Sequence, residues 1–419
     1  MSERRLEVLL YGRLIGRVTQ SPHGARRFRY LEDYGGTEAT PLSLSMSLST
    51  AEHVGRRIDP YLQGLLPDSA EVLERWAEAF AVSPRNPFAR LEHMGLDCAG
   101  AVQFVPEGRA STTFERDATV QPLSRVQIGA RIRQLRQEPS SWKVSGEHWS
   151  LGGAQSKFTL AAQDGDWFET LGGATSTHIV KPGISGYRDQ ALIEHVCLTA
   201  LRGVGLPAAR SSLEDFDGET ALVVTRFDRR RDRSGTVVRV HQEDMCQALS
   251  VYPRRKYEGN GGPSAVQIVD LLRTRASDPE GAVRQFVDAH VANYLLGAPD
   301  AHAKNFAVLL AGSQVALAPL YDVASALPYD VEGTATELDR AAMAIGGERR
   351  FGHVTARHWE SFARRARIDG SALRERVIEL AGAIPPAVDE VLSSVAQSEL
   401  HERFMVRLTA LCAQTARDA

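Results

Sequence analysis

Near Glu243 the hydrophobic period of the chain changes. Upstream, apolar residues come in short alternating runs, the two-residue repeat of half-buried strands; downstream they recur every three or four residues, the repeat of amphipathic helices. A pattern with one period does not sit still in the other element, so neither a uniform sheet nor a uniform bundle accommodates this chain. The expected class is α+β, with a mixed N-terminal part and a mostly α-helical C-terminal part. At 419 residues the chain exceeds the size of a single core, which predicts two or three domains.

In the first block, placed at residues 1–110, LEVLLYGRLIGRVTQ predicts a hairpin turning near Gly12, RRFRYLEDY another strand, and PLSLSMSL a further alternating run. DSAEVLERWAEAF puts Val72, Leu73, Trp76 and Phe80 on one helical stripe, with Asp68 or Ser69 as its N-cap. The polar stretch from Glu107 to Asp117 reads as a linker. Residues 120–242 then open with a helix capped near Ser124 and continue as strands in KFTLAAQ, DWFETL, THIVKPG and ETALVVTRFD, a β-rich lobe. Residues 243–419 carry the helical repeats, from EDMCQALSV to SELHERFMVRLTALCAQ.

Charge and composition exclude several functions. A net charge of −3 and a pI near 6.5 argue against coating nucleic acid or anionic membrane through bulk electrostatics. No apolar run approaches the roughly 18 residues of a membrane span, and MSERRLEVLL lacks the apolar core of a signal peptide, so a cytoplasmic protein is expected. Cys98, Cys197, Cys246 and Cys412 lie at least 49 residues apart, form no CxxC half-site, and read as buried thiols.

The chemistry-bearing stretch is GAPDAHAKNF. It follows a helix whose Val283, Phe286, Val287, Val291, Tyr294 and Leu295 share one apolar face, and Gly297 with Pro299 ends that helix. His290 lies on the same stripe and reads as a core histidine. Asp300 therefore falls on a loop held by a rigid element. After Asn305, FAVLL and QVALAPL predict a hairpin that returns Asp322 towards Asn305, so that one carboxylate and one amide oxygen share a hard cation; magnesium, which takes one or two protein oxygens, suits them. Asp300 is then left to orient or deprotonate a substrate hydroxyl. This is the order of catalytic loop and metal aspartate in protein kinases, although HRD and DFG are absent. Asp and Asn are also turn formers, which leaves an ordinary loop open at this point.

Upstream, SLGGAQSKFTL offers Gly152 and Gly153 for close approach of backbone to phosphate, without a GxxxxGK[ST] loop and with a plain hairpin turn as the competing reading. Lys181 ends the strand of THIVKPG about where a nucleotide lysine is needed, and LVVTRFD leads into a possible adenine-binding hinge at Thr225 to Phe227.

Taken in order, SLGGAQSK, THIVKPG, VVTRFDRR, HQEDMCQAL, KYEGNGGPS, GAPDAHAKNF and PLYDVASALPY resemble the HipA family, the serine/threonine kinase toxins of bacterial toxin–antitoxin pairs. PLSLSM and LLPDS resemble that family's N-terminal subdomain, so the resemblance spans essentially the whole chain. It implies a kinase-like two-lobed fold that uses ATP with magnesium and phosphorylates a protein, in studied members an aminoacyl-tRNA synthetase, to stall translation. By motif, Asp300 matches the catalytic aspartate, Asn305 and Asp322 the metal ligands, Lys181 the nucleotide lysine, and Ser150 the autophosphorylated serine. Gly152, Gly153, Ala154, Thr225, Phe227, His302 and Lys304 complete the expected nucleotide site. Departures from the family pattern are Pro299, Ser156 and Thr225, the last two bearing on nucleotide affinity.

The resemblance also implies a small helix-turn-helix antitoxin, HipB, as partner, with DNA reached mainly through it. The Arg-rich TRFDRRRDR and PRRKY are open to contact with an acidic partner or to solvent. Two competing readings are a pseudokinase acting only as an antitoxin-bound co-repressor and a small-molecule kinase on the same fold. Retention of Asp300 and Asp322 weighs against the first, and the Ser150 match against the second.

Overall fold

The computed structural model describes residues 3–36, 38–110, 118–143, 146–329, 337–395 and 398–419, and the chain folds as two units. The first takes residues up to 185 together with 212–254 and 308–315; the second takes 186–211, 255–307 and 316–419. Of the linker expected from Glu107 to Asp117, residues 111–117 lie outside the described residues.

In the first unit, β1 (Arg4–Leu10) and β2 (Arg13–Gln20) form the expected hairpin. Tyr11 and Gly12 both take positive φ, the tight-turn geometry whose twist matches the strands. β3 (Arg26–Tyr30), β4 (Glu52–Val54) and β6 (Val102–Pro106) complete a five-stranded sheet in the order β4-β3-β2-β1-β6, while the short β5 (Asp97–Cys98) precedes β6 in sequence. Helices α1 (Gly55–Gly64), α2 (Ala70–Ala79) and α3 (Pro87–Met94) accompany this sheet. Ser69 caps α2 by accepting from the Val72 amide, and Val72 and Trp76 are buried on the predicted stripe.

Pro41–Leu48 corrects one expectation, since it forms no strand and carries only an isolated bridge between Ser43 and Met46. Two of its backbone donors go to distant side chains instead: Leu42 N donates to Tyr30 Oη at 2.8 Å and Leu44 N to Glu243 Oε1 at 2.6 Å. Leu42 and Met46 are buried, so the alternation records a loop with alternate residues turned inward.

The second sheet of this unit has six strands, β7 (Thr119–Leu123), β9 (Phe158–Gln163), β10 (Asp166–Leu171), β11 (His178–Lys181), β12 (Ser211–Phe216) and β13 (Glu219–Thr225), in the order β12-β13-β11-β9-β10-β7. β8 (Trp149–Ser150) instead runs parallel to β5. Helix α4 (Arg125–Gln137) starts at a reciprocal cap between Ser124 and Gln127. Gly129 brings α4 close to the sheet, because a Cβ there would stand 2.2 Å from the Phe216 carbonyl oxygen. β14 (Arg229–Arg231) and β15 (Val237–Arg239) form a hairpin, and β16 (His241–Asp244) begins a three-stranded sheet with β17 (Ala307–Ala311) and β18 (Gln314–Leu317).

The second unit is mostly helical: α5 (Gln190–Gly203), α6 (Ala265–Arg275), α7 (Pro279–Leu295), α8 (Ala356–Ala366), α9 (Gly370–Ser393) and α10 (Glu399–Asp418), with the small hairpin of β19 (Arg340–Ile345) and β20 (Glu348–Arg350). α9 packs on α5, α7 and α10, and α6 packs on α7. All but α5 follow the helical period of the sequence. EDMCQALSV, by contrast, yields only one turn, Met245–Ala248. α5 is buried on nearly every side, from Ile193 and Glu194 through Val196, Cys197 and Leu198 to Leu201, which erases the polar face that a period search needs.

Candidate active site

Within the second unit, α7 is buried from Phe286 to Leu295 and ends at Gly297, whose φ is +60°. The chain then turns through Pro299 into the Asp300 loop. That loop is wired to itself: the Asp300 carbonyl accepts from His302 N at 2.8 Å and from Asn305 Nδ2 at 2.7 Å, and Asn305 N donates to the His302 carbonyl at 2.9 Å. With its amide nitrogen spent on Asp300, Asn305 keeps Oδ1 for another partner. His302, Lys304 and Asn305 are buried, whereas the Asp300 side chain is 57% exposed. A buried frame thus presents one accessible carboxylate.

Among the described residues, Tyr257 and His302 contact the Asp300 carboxylate. Tyr257 donates its hydroxyl to Oδ1, and His302 Nε2 stands 3.5 Å from the same oxygen. Burial pushes the His302 imidazole down to about 4 despite the pull of Asp300, so it is neutral near pH 7 and forms no ion pair. Its ring instead meets the Tyr257 ring edge-on, with centroids 4.8 Å apart.

β17 and β18 return the chain as expected. Ala318 N donates to the Ala307 carbonyl at 2.9 Å, and Tyr321 Oη donates to the Lys304 carbonyl at 2.6 Å. Asp322, next in sequence, takes φ +53°, an unusual left-handed conformation for a non-glycine residue. The structure therefore gathers Asp300, His302, Lys304, Asn305 and Asp322 in one unit. Among the described residues no group of three or more His, Cys, Asp or Glu side chains is placed to hold a metal ion. Asn305 offers an amide oxygen and Asp322 a carboxylate, both hard oxygen donors of the kind magnesium takes and a softer metal does not.

The remaining candidates belong to the first unit. Ser150 in β8 is fully buried, its hydroxyl donating to the Leu65 carbonyl at 2.8 Å. In the following loop Gly153 takes φ +98° and its carbonyl accepts from Asp68 N at 2.9 Å; a Cβ at Gly153 would stand 2.6 Å from Lys157 Nζ. Lys157 donates to the Gly152 carbonyl at 2.9 Å and lies over the Trp142 ring, a cation at this loop that no spacing or motif argument singled out. Ala154 is exposed, and Ser156 donates to the Pro139 carbonyl at 2.8 Å. Lys181 ends β11 opposite Leu222 and is buried, while Thr225 ends β13 opposite His178 with Phe227 half-buried just beyond it.

The Arg-rich TRFDRRRDR divides in a way the sequence did not indicate. Arg226 and Arg229 are buried and paired, Arg226 with Asp228 at 2.9 Å and Asp97 at 3.3 Å, Arg229 with Asp97 at 2.8 Å and Asp228 at 3.0 Å. Burial alone would raise Asp228, yet Arg226 and Arg229 hold it well below the ordinary carboxylate range. Neither arginine is available to a partner or to solvent; Arg230, Arg231 and Arg233 are exposed. Asp97 and Tyr257 are among the side chains in these clusters to which sequence reading gave no role. Tyr257 lies in KYEGNGGPS, but nothing in the spacing links it to a loop 43 residues away.

Comparison with known proteins identifies the family and the fold. Residues 6–105 match the HipA N-terminal domain and residues 149–388 the HipA-like C-terminal domain. The chain is 35% identical over 398 residues to "Putative kinase Y4mE" of Sinorhizobium fredii, covering 94% of this chain and 93% of that one. It is 28% identical over 371 residues to the serine/threonine-protein kinase toxin HipA of Shewanella oneidensis, covering 84% and 81% respectively. Its fold superposes on HipA in the Shewanella oneidensis complex of HipA, HipB and operator DNA with a TM-score of 0.84 at 25% identity, over 99% of each chain.

Proposed function

The chain belongs to the HipA family, and from that premise we propose that it is an ATP- and magnesium-dependent serine/threonine protein kinase acting as the toxin of a toxin–antitoxin pair. The observation that carries the reading is the Asp300 loop, an exposed carboxylate on a buried frame whose Asn305 keeps an amide oxygen free of that frame. Asp300 orients the substrate hydroxyl and takes its proton. The hydroxyl oxygen attacks the γ-phosphorus, and the bond from that phosphorus to the β,γ-bridging oxygen breaks with its electron pair leaving on ADP. Asn305 Oδ1 and the Asp322 carboxylate are the groups that would hold magnesium, which supplies charge compensation for the phosphates when bound. Lys181 binds nucleotide phosphate, the Gly152–Ala154 backbone approaches it, Thr225 and Phe227 flank the base, and His302 and Lys304 support the nucleotide side of the loop.

Ser150 is the proposed autophosphorylation site. Its hydroxyl is buried against Leu65, so transfer to it requires the segment to leave its seat. A group carrying about −1.5 to −2 charges does not return to a fully buried seat against the Leu65 carbonyl, which supplies the physical basis for self-inactivation. The likeness to HipA in a complex with HipB and DNA supports a HipB-like antitoxin as partner. The net charge of −3 supports the antitoxin as the main contact with DNA. A protein substrate of the aminoacyl-tRNA synthetase class follows from the resemblance. No helix among the described residues is long and apolar enough to cross a membrane, in keeping with action in the cytoplasm.

The test is mass spectrometry of phosphatase-treated protein incubated with ATP and magnesium, beside Asp300→Asn. Phosphate on Ser150 in the wild type, with incorporation in Asp300→Asn slowed about 100-fold or more and ATP still bound, is the expected result. No phosphate in the wild type despite ATP binding would overturn protein kinase activity.

A further inference from the structure

We propose that Tyr257 is a positioning residue for phosphoryl transfer: its hydroxyl holds Oδ1 of Asp300 and leaves Oδ2 to accept the proton of the substrate hydroxyl. The inference rests on the reading of Asp300 as the catalytic base. An exposed aspartate on a loop rotates about two side-chain torsions, and a base that wanders by an ångström loses much of its effect. Asp300 is more than half exposed, so packing does not fix its carboxylate. Tyr257 does, through the hydrogen bond to one oxygen. A phenolic O–H donates to one carboxylate oxygen and leaves the other open.

The turn that carries Tyr257 is itself anchored without help from the hydroxyl. Asn260 N and Gly262 N donate to the Tyr257 carbonyl at 3.0 and 2.9 Å, and Ala344 N donates to Glu258 Oε2 at 2.6 Å. Gly262 cannot carry a side chain in this turn, since a Cβ would stand 1.9 Å from the Arg255 carbonyl oxygen. Ala303 N donates to the Lys256 carbonyl at 3.3 Å, which ties the Tyr257 turn directly to the Asp300 loop. The ring is braced edge-on by His302, whose two buried nitrogens make no hydrogen bond among the described residues, so this imidazole packs the phenol and does not compete for the carboxylate. The backbone thus holds the ring in place, and the hydroxyl is left to act on Asp300.

Tyr257→Phe keeps the ring and removes the hydroxyl. Its initial rate of phosphate incorporation at saturating ATP and magnesium is expected to fall about 10- to 100-fold, while the Kd for ATP and the thermal midpoint stay at the wild-type values. A rate within twofold of wild type overturns the proposal. So does a fall accompanied by a matching loss of ATP affinity or of thermal stability, because the hydroxyl would then serve the fold or the nucleotide. Asp300→Asn in the same assay separates the two ideas: if it turns over like the wild type, the base assignment fails whatever Tyr257 does. If it is impaired and Tyr257→Phe is not, only the positioning role fails.

Discussion

A guanidinium withdrawn from water costs several kcal/mol unless anions meet it, and Arg226 and Arg229 meet two. Asp97 is the hub, accepting from Arg226, Arg229 and Arg239 and also from the Ser176 hydroxyl at 2.6 Å. Removing it leaves buried cations uncompensated, so Asp97→Ala is expected to destabilise the protein by about 3–5 kcal/mol. Urea denaturation monitored by tryptophan fluorescence measures this, and a loss below about 1 kcal/mol would contradict the pairing described. Nothing in the sequence pointed to Asp97, which sits 129 residues from Arg226 in an unremarked stretch. Asp300 was legible for the opposite reason, because its neighbours Asn305 and His302 are local and a loop after a buried helix is readable from period and punctuation.

At the scale of elements, β8 and the loop after it are the segment most exposed to a change of charge. Ser150 lies fully buried with its hydroxyl on Leu65, and Gly153 ties the loop to Asp68. A carboxylate at position 150 would set an acceptor against the Leu65 carbonyl in a buried seat and is expelled with its strand. Ser150→Glu is expected to weaken ATP binding at least tenfold and to make the stretch around 151–157 susceptible to limited proteolysis. Unchanged affinity together with an unchanged digestion pattern would refute the idea. Elements with a clean amphipathic stripe and local caps, such as α2 with Ser69 and α4 with Ser124, are readable because their signals lie within one turn. Two others are not. α5 is buried all round and shows no stripe, and Pro41–Leu48 alternates like a strand while distant groups, Tyr30 and Glu243, take two of its backbone hydrogen bonds.

At the scale of the whole molecule, each unit buries a histidine that must be neutral. His241 in the first accepts from Ala101 N and faces the Leu42 carbonyl, and His290 in the second lies between Phe286 and Phe362; burial pushes both down to about 4. In the unfolded chain each protonates near 6.5, so below that pH the unfolded state binds protons that the folded state refuses. Stability is therefore highest above about pH 6.5 and falls as pH drops towards 4, by about 3 kcal/mol for each histidine. Denaturation midpoints that stay flat across that window, or rise, would contradict this. The sequence by itself determined the α+β class, the HipA resemblance and the order of the chemistry-bearing motifs, because periodicity, caps and short spacings are properties of neighbouring residues. Only the tertiary structure decided that Arg226 and Arg229 are buried, that Ser150 is sealed against Leu65, and that Tyr257 holds Asp300. Burial and pairing between residues tens of positions apart depend on which surfaces meet when the chain compacts, and no local pattern records that.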